Sequence, residues 1–177
     1  MTMAIEPETT PQPPIARVLI VDDQPDNIEV LARRLRTRRF EVLSATNGMD
    51  GGRLALTERV DLVLLDVMMP RMSGLDVVRE IRRAKTAAQL PIIMLTARDD
   101  KETLVEAMAS GANDYVTKPF DFEIVLARMV AQLRVRASFQ AVNQDRARLQ
   151  RQVAEQSAAR GEPQAGADDG WATPSKA

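Results

Sequence analysis

Residues 60 to 66 read VDLVLLD, an apolar run with no polar interruption after Asp61 that stops abruptly on a carboxylate, Asp66. A run that stays apolar instead of alternating is what a strand buried on both faces requires, and such strands belong to parallel sheets covered by helices on either side. Three other runs follow the same rule. PIIMLT (91–96) stops on Thr96, RVLIVDD (17–23) on Asp22 and Asp23, and DYVTK (114–118) on Lys118. Apolar runs ending on polar residues, repeated along one chain, deliver chemistry to the carboxyl edge of such a sheet.

Between these runs stand helical patterns: DNIEVLARRLRT, GMDGGRLALTE, GLDVVREIRRA, KETLVEAMAS and FEIVLARMVAQLRVR. Five strand-helix repeats from Arg17 to about Arg136 predict an α/β fold with a doubly wound, five-stranded parallel sheet and five helices. The remaining strand, EVLSA (41–45), is mixed in polarity and suits a sheet edge. Asn47, Ser73 or Gly74, and Asp99 or Asp100 stand where N-caps are expected, and Ser110-Gly111 closes a helix. The helix at 48–57 has the least support, because Gly51 and Gly52 each cost about 1 kcal/mol relative to Ala.

Residues 1–16, rich in Pro and Thr, read as a disordered leader, and 161–177 as a disordered tail in which Trp171 is isolated. Residues 137–160 lack Gly and Pro and are full of helix formers up to Arg160, so the last helix is expected to continue as a helical extension. Val135, Phe139, Val142, Leu149 and Val153 follow 4-3 spacing, with Arg146 at one core position. That spacing sketches a coiled-coil stalk, against the alternative of a solvated single helix.

A chain of 177 residues, 45% hydrophobic and 28% charged, accommodates one well-packed core and an appendage. The 24 basic and 25 acidic residues nearly cancel, giving no global field for nucleic acid or an anionic membrane. Arg33, Arg34, Arg36, Arg38 and Arg39 wrap around a helix whose Leu31 and Leu35 turn inward, which makes them a solvated face. The absence of Cys and His excludes disulfides, thiolate sites, histidine bases and an internal phosphohistidine. No apolar run approaches the roughly 20 residues that span a bilayer, and the N-terminus lacks a secretory apolar core, so a cytoplasmic location is expected.

The strand-end carboxylates constrain the chemistry. Two carboxylate charges about 4 Å apart repel by roughly 4 kcal/mol at an effective dielectric near 20, so Asp22, Asp23 and Asp66 imply a divalent cation. Magnesium suits hard oxygen donors. A carboxylate can accept a phosphoryl group to form an acyl phosphate, a lysine ammonium can neutralise its oxygens, and a threonine hydroxyl can donate to one.

In order and spacing, VLIVDDQPDN, LLDVMMPRMSGLD, IIMLTA, GANDY and TKPFD resemble the receiver domain of two-component response regulators, over residues 17–136. The resemblance implies a flavodoxin-like strand order, 2-1-3-4-5. It implies Asp66 as phosphoacceptor, Asp23 as a direct Mg²⁺ ligand, Asp22 acting more through water, and the Met68 carbonyl completing the ligands. Lys118 would hold the phosphoryl group, with Pro119 behind a cis peptide, and the Ala97 backbone N–H would donate to it. Thr96 and Tyr115 resemble a switch pair that alters the surface of the fourth helix, fifth strand and fifth helix.

The implied partner is a sensor histidine kinase or phosphotransfer protein, with no nucleic acid and no membrane. Asp114 and Arg128 occupy positions where receivers pair across a dimer, so a homodimer through that surface or the stalk is expected. Met68 and Arg98 are expected to restrict the water that attacks an acyl phosphate. The chain is expected to assist its own phosphorylation and dephosphorylation without being a turnover enzyme. A phosphohydrolase of the haloacid dehalogenase type would need an aspartate at Met68, and a scaffold that has lost phosphorylation would not keep all five site residues. Residues 137–177 carry no helix-turn-helix or catalytic motif. The chain thus reads as a stand-alone regulator or a piece of a longer one, similar to receivers found before diguanylate cyclase domains.

Overall fold

The computed structural model describes residues 15–97 and 101–159. Five parallel strands, β1 (Arg17–Val21), β2 (Glu41–Ala45), β3 (Leu62–Asp66), β4 (Ile92–Ala97) and β5 (Asp114–Lys118), form one sheet in the order β2-β1-β3-β4-β5. The uninterrupted VDLVLLD run supplies the central strand, whose five residues are all buried. The mixed EVLSA run supplies an edge. Helices α1 (Pro25–Thr37), α2 (Gly48–Thr57), α3 (Gly74–Ala84), α4 (Lys101–Ala109) and α5 (Phe122–Ala159) alternate with the strands.

Alternate residues of each strand face opposite sides, so the sheet builds two cores. Leu19, Val21, Val63, Leu65, Ile92 and Met94 pack with Ala55 of α2, Val77, Val78 and Ile81 of α3, and Ala107 of α4. Val18, Ile20, Leu62, Leu64, Ile93 and Leu95 pack with Ile28, Leu31 and Leu35 of α1 and Val125 and Met129 of α5. The arginine-rich stretch of α1 follows the expected pattern: Leu31 and Leu35 are buried while Arg33, Arg34 and Arg36 are exposed.

Side-chain caps mark the starts of α2 and α3. Asn47 accepts a hydrogen bond from the Asp50 amide at 2.9 Å, and Ser73 and Asp76 form a reciprocal capping box. Asp99 and Asp100 lie outside the described residues. Helix α4 gives way to Gly111, whose φ of 100° suits glycine. A half-buried guanidinium then ties the loops at the amino edge of β4 and β5. Arg82 donates to the Gly111 and Leu90 carbonyls at 2.7 and 3.0 Å and to Asn113 Oδ1 at 2.9 Å. Burial lowers its pKa to about 10, which leaves it charged at neutral pH, with neutral oxygens as its hydrogen-bond partners among the described residues.

Described residues divide into two units between Gln140 and Ala141, the first holding the sheet and the second the later part of α5. The leader and tail fall largely outside the described residues, as does Trp171. No described helix is long and apolar enough to cross a membrane.

Helix α2 forms over 48–57 despite its two glycines, and the reasons for the two differ. A Cβ on Gly51 would lie 2.6 Å from the Val21 side chain, whereas one on Gly52 would meet nothing within 4 Å. Gly52→Ala is therefore expected to raise stability by about 1 kcal/mol through helix propensity. Gly51→Ala is expected to lower it by about 1–3 kcal/mol through overpacking. Urea unfolding of the two variants checks this, and equal stabilisation by both would refute the contact.

Candidate functional site

Because all five strands run the same way, their carboxyl ends share one edge, and β1 and β3 are neighbours there. Asp22 and Asp23 follow β1, Asp66 ends β3, and one carboxylate oxygen from each lies within 4.8 Å of the others. Asp22 is completely buried, Asp66 is 6% exposed, and Asp23 is partly exposed. Hard oxygen donors in this number and spacing fit a small divalent cation such as Mg²⁺.

Lys118, at the end of β5, reaches across this cluster. Its Nζ donates to Asp66 Oδ1 at 2.8 Å and to Asp22 Oδ2 at 2.9 Å. The adjoining Lys118–Pro119 peptide is cis. Burial raises the Asp66 pKa; Lys118 opposes that rise, and the neighbouring Asp22 and Asp23 charges add to it. For Lys118, burial disfavours the charge, but hydrogen bonds to Asp66 and Asp22 outweigh it and raise the pKa. Among the described residues, three carboxylates stand against one ammonium at this largely buried edge.

Asp22 has further support from α1. The Asn27 amide donates to its two oxygens at 3.0 and 3.1 Å, and the Gln24 amide donates to Oδ1 at 2.9 Å. Helix α3 begins directly against the site. A Cβ on Gly74 would lie 2.2 Å from the Asp66 carbonyl oxygen, so only glycine permits this approach.

Residues 18–130 match the profile of the response regulator receiver domain. The chain belongs to the response regulator receiver family. It is 46% identical over 117 residues to the uncharacterised transcriptional regulatory protein YkoG of Bacillus subtilis, covering 66% of this chain and 50% of that one. It is 39% identical over 118 residues to the DNA-binding dual master transcriptional regulator RpaA of Synechocystis, covering 67% of this chain and 49% of that one. The chain thus spans about half the length of these curated relatives. The receiver domain of the sensor histidine kinase PA1611 from Pseudomonas aeruginosa, solved with magnesium in its active-site cleft, superposes with a TM-score of 0.62 at 30% identity. That match covers 67% of this chain and 97% of the other. The order 2-1-3-4-5 is thus the flavodoxin-like order of a receiver.

Of the other residues singled out in the sequence, Thr96 and Ala97 share the carboxyl edge with Lys118, while Asp114 opens β5 at the opposite edge. Thr96 is buried on β4, opposite Thr117 of β5, and Ala97 stands opposite Lys118. Tyr115 is half-buried against the core that includes Ala107 of α4, with the Arg128 guanidinium 5.9 Å from its ring centroid. The Met68 side chain is 68% exposed on the loop after β3. Arg98 lies outside the described residues. Asp114 and Arg128 form an ion pair at 2.7 Å inside one chain, so using them across a dimer would require exchanging partners.

Asn27, the close approach of Gly74 to the Asp66 carbonyl and the double attachment of Lys118 escaped the sequence reading, although Gly74 stands among the possible N-caps. Asn27 does lie within the quoted VLIVDDQPDN motif, and its place in the first turn of α1 was the available signal.

Burial sets the pH dependence of the metal-free protein. A folded pKa raised above the unfolded value means that the Asp66 charge destabilises the fold above that pKa, and the penalty is relieved as pH falls through it. In EDTA at pH 7, Asp66→Asn is expected to resist urea better than the wild type. The difference should close on acidification; a difference that grows instead would contradict this sign.

Proposed function

We propose that this receiver accepts a phosphoryl group on Asp66 from the phosphohistidine of a sensor kinase or phosphotransfer protein. The observation that carries this reading is the Lys118 ammonium bonded to both Asp66 and Asp22 beside Asp23. Lys118 occupies Asp66 Oδ1, which leaves Oδ2 to attack phosphorus. The new P–O bond forms as the P–N bond to the donor imidazole breaks, and the electron pair leaves with the imidazole. Lys118 then has a phosphoryl oxygen within its reach, and the Ala97 amide and Thr96 hydroxyl supply neutral donors.

Asp22, Asp23, Asp66 and the Met68 carbonyl would hold Mg²⁺, which when bound supplies charge neutralisation on the phosphoryl oxygens. Asn27 and the Gln24 amide already orient Asp22. Thr96 and Tyr115 form the switch, with Tyr115 repacking between α4 and Arg128 and so changing the α4-β5-α5 surface. That surface would control a homodimer or the contact with an effector. The chain assists its own modification and release of phosphate and carries no separate turnover chemistry. Relatives described as transcriptional regulators give an output class for comparison, and the effector of this chain belongs to the same proposal.

Incubation with acetyl phosphate and Mg²⁺ followed by intact-mass spectrometry is expected to add one phosphoryl group to the wild type and none to Asp66→Asn. Unmodified wild type under conditions that label other receivers would overturn the reading. The metal site can be checked separately by thermal or urea unfolding. At a hundredfold excess over its dissociation constant Mg²⁺ is expected to stabilise the fold by about 2.7 kcal/mol, with the effect weakened in Asp23→Asn; equal stabilisation of both proteins would remove Asp23 from the ligand set.

A further inference from the structure

An apolar stripe on α5 is mostly exposed, with Phe139 half-buried. Val135, Val142, Leu149 and Val153 are 58%, 65%, 60% and 62% exposed. At about 100° per residue, these four with Phe139 and Arg146 fall within a sector of roughly 80° on the helix surface. That is the narrow seam of a coiled coil, in which Phe139, Arg146 and Val153 take one core position and Val135, Val142 and Leu149 the other. Arg146 stands in the middle of the seam, and neither it nor Asp145 has an ion-pair partner in its own chain among the described residues.

We propose that α5 pairs with α5 of a second copy of this chain, parallel and in register, and that Arg146 of each copy is neutralised by Asp145 of the other. In a parallel pair, the core position of Arg146 is flanked by the residue that precedes it on the opposite helix, which is Asp145. An antiparallel pair would set the Asp145 row against its own row, namely Ser138, Asp145 and Gln152, where no cation stands. The charge pattern therefore favours one orientation, and a shift by one heptad would place Arg146 against Val153 or Phe139 with no acid beside it. A single charged core residue costs stability and specifies register. With five apolar core positions, the coil is short and its dimer weak, so any second contact between two receivers would strengthen it through effective concentration.

The cysteine-free chain provides a direct test. Val142→Cys and Leu149→Cys, each in the full chain and oxidised without phosphodonor, are both expected to form disulfide-linked dimers well ahead of Arg151→Cys, which lies on the opposite face. An antiparallel pair can bring at most one position onto its own copy. Linkage at only one of the two, or at neither above the control, would overturn the parallel dimer. The ion pair is tested by sedimentation. Asp145→Ala is expected to raise the dimer dissociation constant about fivefold in the wild type and to leave it unchanged in Arg146→Leu, itself a tighter dimer. The same effect in both backgrounds would overturn the role of Asp145. Because no phosphodonor is present, failure here leaves the phosphoacceptor reading of Asp66 intact.

Discussion

Repulsion among three carboxylates at one sheet edge is the constraint around which this receiver is organised. Asp22 is fully buried, and an isolated buried charge would cost several kcal/mol. Its oxygens instead accept from the Gln24 amide, the Asn27 amide and the Lys118 ammonium. Asp66 has less support, with Lys118 bound at one oxygen, and burial raises its pKa despite that contact. The two aspartates are thus unequal. Asp22 is tied down by its neighbours, while Asp66 retains an oxygen that Lys118 does not occupy.

Topology supplies the convergence. Asp22 and Lys118 are 96 residues apart in sequence and 2.9 Å apart in space, because parallel strands bring every carboxyl end to the same edge. The two cores pack against the sheet from both sides, and α3 closes against the Asp66 backbone through Gly74. At the opposite edge Arg82 binds carbonyls of the connecting loops, so the same helix layer is fastened at both ends.

Much of this was legible in the sequence because the signals are local. The apolar runs mark the strands closely, since burial on both faces forbids polar residues, and the mixed polarity of EVLSA marks an edge for the same reason. What escaped the sequence depends on neighbours distant along the chain. Helix propensity counts Gly51 as a defect, yet Val21 on β1 leaves room for nothing larger. The sequence does not show that Asp114 and Arg128 lie 2.7 Å apart within one chain, since they belong to β5 and α5. Lys118 reads as a phosphate ligand, and only the assembled edge shows it bound to two aspartates.

That double attachment bears on how a modification at Asp66 would be felt. A phosphoryl group carries more negative charge than the carboxylate it replaces, and it would draw the Lys118 ammonium toward its own oxygens. Asp22 could release Lys118 without being orphaned, because Asn27 and the Gln24 amide would still hold it. The cost of moving the lysine would fall on β5, which carries Tyr115 three residues upstream and Asp114 beside it. Tyr115 packs against the core that includes Ala107 of α4, with the Arg128 guanidinium near its ring, and Arg128 is paired with Asp114. Lys118 and the two residues that hold Arg128 of α5 thus belong to one short strand.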